Sequence, residues 1–298
     1  MEGLRVSEHA SESGSWRISS LAPSGLAALH VTAFHAYEER GTAFRRRREL
    51  PDGSAVMIFN LGGELRVEHP PGALRAFGEG QGFFSGASKT YAITETDGAQ
   101  TGAQVKFSLL GARLFVGRPL GELGDALVDL SQAFGRGASE FGERVADARS
   151  QEERLHLLSR AVEMRLRSEE AITPRLAFAF RRLDRADVRI AEVACEIGMS
   201  RERFSKAFRR EFGLTPKRFA RVRRFARALR ARRQEPSLDG AALAAQCGYV
   251  DQAHMIHDSV NSPAARRPRC GGANCPTRED SSTDPPVTFP QSRRSPRA

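Results

Sequence analysis

Residues 187–213 read DVRIAEVACEIGMSRERFSKAFRREFG, and the spacing within them decides how the chain is understood. Asp187 is a suitable N-cap, because a short carboxylate accepts from the free N–H groups of a first helical turn. Ile190, Val193, Ala194 and Ile197 follow at i, i+3, i+4 and i+7, the spacing of one apolar helix face. Gly198 can take a positive φ and end that helix, and Ser200 can cap the next. On this second helix Phe204, Ala207, Phe208 and Phe212 form the inward stripe, while Arg201, Glu202, Ser205, Lys206 and Arg209 lie on the other face. A short helix, a glycine turn and a second helix with a basic-polar outer face make a helix-turn-helix. Such a second helix fits a major groove about 12 Å wide, with its N-terminal residues at the base edges. A merely solvated arginine-rich face is the plainer reading, and the elements that follow weigh against it.

Thr215-Pro216 opens a further helix with Phe219, Val222, Phe225, Ala226 and Leu229 on one face, broken at Pro236 and Gly240. Ala241, Leu243, Ala244, Cys247, Gly248 and Tyr249 then repeat the first theme, with Gly248 following Gly198 by 50 residues. Cys195 and Cys247 take inward positions on the two short helices and read as core. Pro174 opens the helix before these units, with Leu176, Phe180 and Leu183 as its apolar face.

Upstream the pattern changes. From Trp16 to Phe107 the chain is β-rich, with alternation over Leu29–Phe34, a strand-like run from Ala55 to Phe59, and turns at Pro51-Asp52-Gly53, Gly62-Gly63 and Pro70-Pro71-Gly72. Many short strands with Gly and Pro turns point to a sandwich or barrel. Leu114, Phe115, Leu120, Leu123, Leu127 and Leu130 begin a helical region, and residues 151–167 form an amphipathic helix with Leu155, Leu158, Val162 and Leu166 on its stripe. That helix packs on its own domain, connects domains or forms a dimer seam. The division expected is 1–14 as a tail without fixed structure, 15–170 as the β-rich domain with its helical linker, 172–258 as the all-α domain, and 259–298 as a second tail.

Charge follows the same division. The net charge of +10 splits into −3 over residues 1–173, +9 over 174–258 and +4 over 259–298. A polyanionic partner is therefore expected for the helical half alone. No apolar run approaches the roughly 18 residues needed to span a bilayer, no secretory signal is visible, and four Cys exclude a disulfide scaffold. Catalytic and metal readings find little support. His30 and His35 differ by five and fall on opposite faces of a regular strand; with His69 they form no ligand motif, Cys270 and Cys275 lack a second pair, and neither a phosphate loop nor a nucleophile elbow occurs. No enzyme activity, metal or cofactor is expected. Phe59, Phe77, Phe83, Phe84 and Tyr91 read as core in preference to a pocket lining.

The helical half resembles the DNA-binding domain of the AraC/XylS family of transcription regulators. The resemblance covers about residues 172–258 and rests on Ile190-Ala-x-Val193-Ala, Gly198-Met-Ser-x-x-x-Phe204-x-x-x-Phe208, Phe212-Gly-x-x-Pro216 and Gly248-Tyr-x-Asp251-Gln252. It implies two helix-turn-helix units entering successive major grooves roughly 34 Å apart. By alignment the base-facing positions are Arg201, Glu202, Ser205 and Lys206 in the first unit and Gln252, Ala253, Ile256 and His257 in the second. Arg209 and Arg210 fall to phosphate, which positions without specifying. Residues 46–62 and 110–123 resemble the N-terminal sensor-like domain of some such regulators, similar to a reduced cupin-like barrel with helices. The fold implied is α+β, a β-rich cupin-like barrel followed by an all-α double helix-turn-helix domain. The function implied is a cytoplasmic bacterial transcription regulator of activator type. Its partners would be double-stranded DNA, a small-molecule effector, RNA polymerase and a second copy of the chain. The competing readings are a charge-only binder of nucleic acid or membrane surface, and a cupin-type enzyme or metal sensor.

The motif stops early in the second unit. A phenylalanine matching Phe208 is expected at position 259, where the sequence has Ser259, and seven of the 15 Pro fall in 259–298. A frameshift after Asp258 accounts for this: with GC-rich codons, one T restored before Ser259 reads Phe-Arg-Gln-Leu-Ala-Gly-Arg. The second unit, with His254 and His257, is then expected to be impaired.

Overall fold

The computed structural model describes residues 3–255, apart from 12–13, 42–45, 71, 89, 125, 169–171, 186–187, 236 and 254. The tail from 259 onward, the proposed frameshift, and His254, Ile256 and His257 lie outside the described residues.

The first half builds two antiparallel sheets. One contains β1 (Leu4–Ser11), β2 (Gly14–Leu21), β3 (Val31–Arg40), β5 (Ser54–Gly62), β8 (Gly82–Ser85), β10 (Ala99–Ser108) and β11 (Leu127–Asp129), in the order β1-β2-β3-β10-β5-β8-β11. The other is β4-β9-β6-β7, from β4 (Arg46–Glu49), β6 (Leu65–Glu68), β7 (Leu74–Phe77) and β9 (Ala92–Glu95). Alternation along β5 shows how the layers form. Ala55, Met57 and Phe59 join the large core shared with the helices, while Val56 and Ile58 face Leu65, Val67, Phe77 and Phe83 between the sheets.

Helices α1 (Leu109–Val116), α2 (Leu130–Phe134), α3 (Arg136–Ala146) and α4 (Gln151–Ser168) complete this half. The α4 stripe Leu155, Leu158, Val162 and Leu166 is buried in the core, so the helix packs on its own domain. The five aromatic side chains Phe59, Phe77, Phe83, Phe84 and Tyr91 are likewise buried core.

Three local expectations are corrected. Residues 4–11 are a strand rather than part of a tail: β1 pairs with β2 in continuous register from Leu4↔Leu21 to Ser11↔Gly14. Its side chains are mostly exposed, so backbone pairing holds it and no apolar pattern announced it. Leu127 lies in β11, paired to β8 through Leu127↔Ser85, because sheet pairing overrides the helical spacing of its neighbours. Leu29 ends a short 3-10 turn and is exposed; the strand begins at Val31.

The second half is all-α: α5 (Pro174–Arg185), α6 (Ile190–Glu196), α7 (Arg201–Phe212), α8 (Pro216–Gln234) and α9 (Gly240–Gln246). Its centre is a cluster of phenylalanines. Phe204, Phe208, Phe212 and Phe219 are fully buried, with ring centroids 4.5 Å apart for Phe208–Phe212 and 5.0 Å for Phe180–Phe219. Each such burial is worth about 1.5–3 kcal/mol, so α7 is positioned by its inward stripe. The chain is thus α+β, β-rich in its first half and helical in its second.

Candidate nucleic-acid interface

The first unit is built by its caps. Helix α6 begins at Ile190 with Arg189 at the N-cap and no side-chain cap bond; Asp187, expected in that role, is outside the described residues. Val193, Ala194 and Ile197 are buried. Cys195 is exposed, against the inward position expected for it, because it lies one residue, about 100°, around the helix from Ala194. Gly198 takes φ +66°, and Ser200 Oγ accepts from Arg203 N at 3.3 Å to start α7.

The second unit repeats this turn. Ile197 and Cys247 both have φ −94° and ψ 5°. Met199 N donates to Ala194 O and Tyr249 N to Ala244 O, each at 2.9 Å. Gly248 takes φ +77°. The repeat visible at an offset of 50 residues is therefore a repeat of backbone geometry. Asp239 caps α9 by accepting from Ala241 N and Ala242 N. The unit is held to α8 by a small core of Ala228, Leu243, Ala244, Cys247 and Tyr249, and the Arg224 guanidinium lies 5.4 Å from the Tyr249 ring centre.

The side chains expected to meet DNA are on the open face of α7. Arg201, Glu202, Lys206 and Arg209 are exposed, and Ser205 is half-buried. Lys206 Nζ sits 2.7 Å from Glu202 Oε1, with both side chains more than three-quarters exposed. An exposed i,i+4 pair is worth only about 0.3–0.5 kcal/mol, so Lys206 leaves Glu202 for a stronger acceptor at little cost. In the second unit Gln252 and Ala253 are exposed and helical. Gln252 lies over the start of α9, where a β-carbon on Gly240 would come 2.6 Å from its Nε2. Four of the positions expected to face bases are thus brought together on α7, and two further ones open the second helix.

The other end of α7 is docked on the β-rich half, which the sequence did not announce. Arg113 Nε of α1 donates to Glu211 Oε2 at 2.7 Å, both side chains largely buried. Gly121 lies so close that a β-carbon would come 2.6 Å from Arg210 O. From α8, Arg223 Nη1 donates to Asp52 O at 3.2 Å, and its Nε pairs with Asp184 Oδ1 at 2.7 Å. The docking therefore grips the C-terminal turn of α7 and leaves its N-terminal face open.

A second site was also illegible in the sequence. Between the two sheets is a cavity of about 170 Å³ whose walls carry Arg47, Glu49, Asp52, Thr90, Gln104 and Lys106 among apolar side chains such as Val56 and Leu65. Arg47 makes a two-pronged pair with Glu39, its Nη1 2.7 Å from Glu39 Oε1. Lys106 Nζ lies 2.5 Å from Asp52 Oδ2, and Ser54 N donates to Asp52 Oδ1 at 3.0 Å. Burial alone would raise the Asp52 carboxyl, but Lys106 holds it below its ordinary value. Burial pushes Glu49 up to about 7, with Arg47 and Lys106 opposing the rise. His30, His35 and His69 lie on different elements; His35 Nδ1 is 2.9 Å from Ser20 Oγ. Among the described residues no group of three His, Cys, Asp or Glu side chains is placed to hold a metal. Nor is any described helix long and apolar enough to cross a membrane.

Fold and site together define a helix-turn-helix protein with a β-rich companion domain. Residues 193–260 match the family model described as a helix-turn-helix domain. A search of curated proteins finds no match. Among solved structures, ToxT from Vibrio cholerae is similar at 11% identity, covering 84% of this chain and 95% of its own, with a TM-score of 0.43. The AraC-like transcriptional activator CuxR is similar at 15% identity, covering 76% and 86%, with a TM-score of 0.28.

Proposed function

We propose that the chain is a sequence-specific transcription regulator whose DNA binding responds to a small-molecule effector. The observation that carries the first part is the face of α7: a capped helix with Arg201, Glu202, Ser205, Lys206 and Arg209 turned outward beside a twin turn 50 residues on. Arg201 and Lys206 suit guanine edges, and Glu202 suits a cytosine amine. Arg209 and Arg210 suit phosphate. The chain would act in the cytoplasm, on double-stranded DNA, as a regulator and not an enzyme.

The effector would bind between the sheets. Asp52 supports this reading because it faces two ways: its carboxylate is on the cavity wall with Lys106, and its carbonyl receives Arg223 of α8. A ligand that moves the 50–53 turn would shift α8 and with it the spacing of the two units. Such coupling requires differential affinity between two docked states.

The test is selection of bound duplexes from a random pool at fixed salt. A regulator enriches one sequence, and Lys206→Ala broadens what is enriched. A charge-only binder enriches nothing, and the same substitution lowers affinity for all duplexes alike.

A further inference from the structure

We propose that the cavity between the sheets is a receptor for a small, singly cationic molecule rich in hydrogen-bond donors, with the Glu49 carboxylate as its counter-charge. This inference rests on the effector reading above and names the chemical class of that effector.

Size comes first. A cavity of about 170 Å³ is below the roughly 300–1,000 Å³ of drug-sized sites, so the ligand has few non-hydrogen atoms. Charge comes next. The two cations in the wall are already matched, Arg47 by Glu39 and Lys106 by Asp52. Glu49 projects from the same face of β4 as Arg47, and among the described residues it has no hydrogen-bond or ion-pair partner. An anionic ligand would face the Glu49 and Asp52 carboxylates and two occupied cations. A neutral one would leave the charge of the half-buried Glu49 without a partner, which costs part of its solvation with nothing in return. A cation completes a third pair.

Hydrogen bonding agrees. The Thr90 hydroxyl oxygen is buried in the wall with no hydrogen-bond partner, and the Gln100 and Gln104 amides line the same space. These groups accept from a donor-rich ligand. Burial holds the free Glu49 carboxyl near neutrality, at about 7. The other titratable or charged groups around it are Glu39 and Tyr37 from β3, Arg47 from its own strand, Asp52 from the following turn, Lys106 from β10, and His69 beyond β6.

The experiment uses the full chain and three probes of one size and different charge: ethanolamine, ethylene glycol and glycolate. Binding is measured by ligand-observed NMR and calorimetry at pH 6 and pH 8, without DNA. Ethanolamine is expected to bind best, about tenfold more tightly at pH 8 than at pH 6, because Glu49 must be ionised. Glu49→Gln is expected to lose at least about tenfold in ethanolamine affinity and little for ethylene glycol. The pH comparison needs no variant, so it decides the matter even if Glu49→Gln does not fold. Stronger binding of glycolate, equal ethanolamine binding by Glu49→Gln, or no binding by any probe overturns the inference. DNA affinity is measured separately. If ethanolamine binds as expected and DNA affinity does not change, the ligand class stands and the effector reading falls. If glycolate binds and shifts DNA affinity, the reverse holds.

Discussion

Glu202 and Lys206 form the pair on which sequence preference is expected to turn. In the free chain they meet at 2.7 Å in full exposure, a contact too weak to hold Lys206 from DNA. Lys206→Ala is expected to lower discrimination at one base pair by about 1–3 kcal/mol, measured by competition between the selected site and single-base variants. Glu202→Gln is expected to raise affinity for unselected duplexes, since it removes a carboxylate from the DNA-facing side, and to narrow the margin by which the selected site is preferred. Glu49 offers a second test through stability. Its folded carboxyl lies near 7 against an ordinary 4.5, so the folded chain binds more protons between those values. Stability should therefore fall as pH rises through that window. Urea unfolding of Glu49→Gln is expected to show no such fall, and a gain over the parent of up to about 3 kcal/mol at pH 8 that vanishes at pH 4. Residues of α7 were legible because their chemistry repeats within one helix. Arg47, Glu49, Asp52 and Lys106 were not, since they meet only through sheet register. The stripe of Phe204, Phe208 and Phe212 was read correctly; Cys195, one step off the buried face, was not.

At the scale of elements, α7 carries two jobs at its two ends. Its N-terminal turn is capped by Ser200 and open, and its C-terminal turn is locked to α1 by Arg113–Glu211. That pair is largely buried, so removing one partner strands the other. Arg113→Ala and Glu211→Ala are each expected to destabilise the docked state, and the double variant by less than their sum, in a double-mutant cycle read by chemical unfolding. The stripe itself is tested by Phe208→Ala, expected to cost about 3–5 kcal/mol and to abolish specific binding with it. Helical elements were legible where caps and stripes coincide, as with Ser200, Thr215 and Pro216. The strand β1 was not, because an edge strand with exposed side chains leaves no apolar period to read.

Over the whole molecule the charge of +10 resolves into a near-neutral β-rich half and a basic helical half. That division was legible from composition, whereas the docking between the halves was not, because Asp52–Arg223 and Arg113–Glu211 join residues 171 and 98 apart. We further propose that the second unit reads DNA weakly as it stands, since the apolar pattern stops at Ser259. Restoring the frame after Asp258 is expected to extend the footprint by a second segment about 34 Å along the duplex. A footprint already showing two segments in the unaltered chain would contradict this. The central claim, that α7 reads base sequence, is tested most directly by random-pool selection with the native chain, Lys206→Ala and Arg201→Ala at one salt concentration. The account predicts one enriched sequence for the native chain and broadened sequences for both variants. Unselected pools, or equal loss of affinity across all sequences, would contradict it.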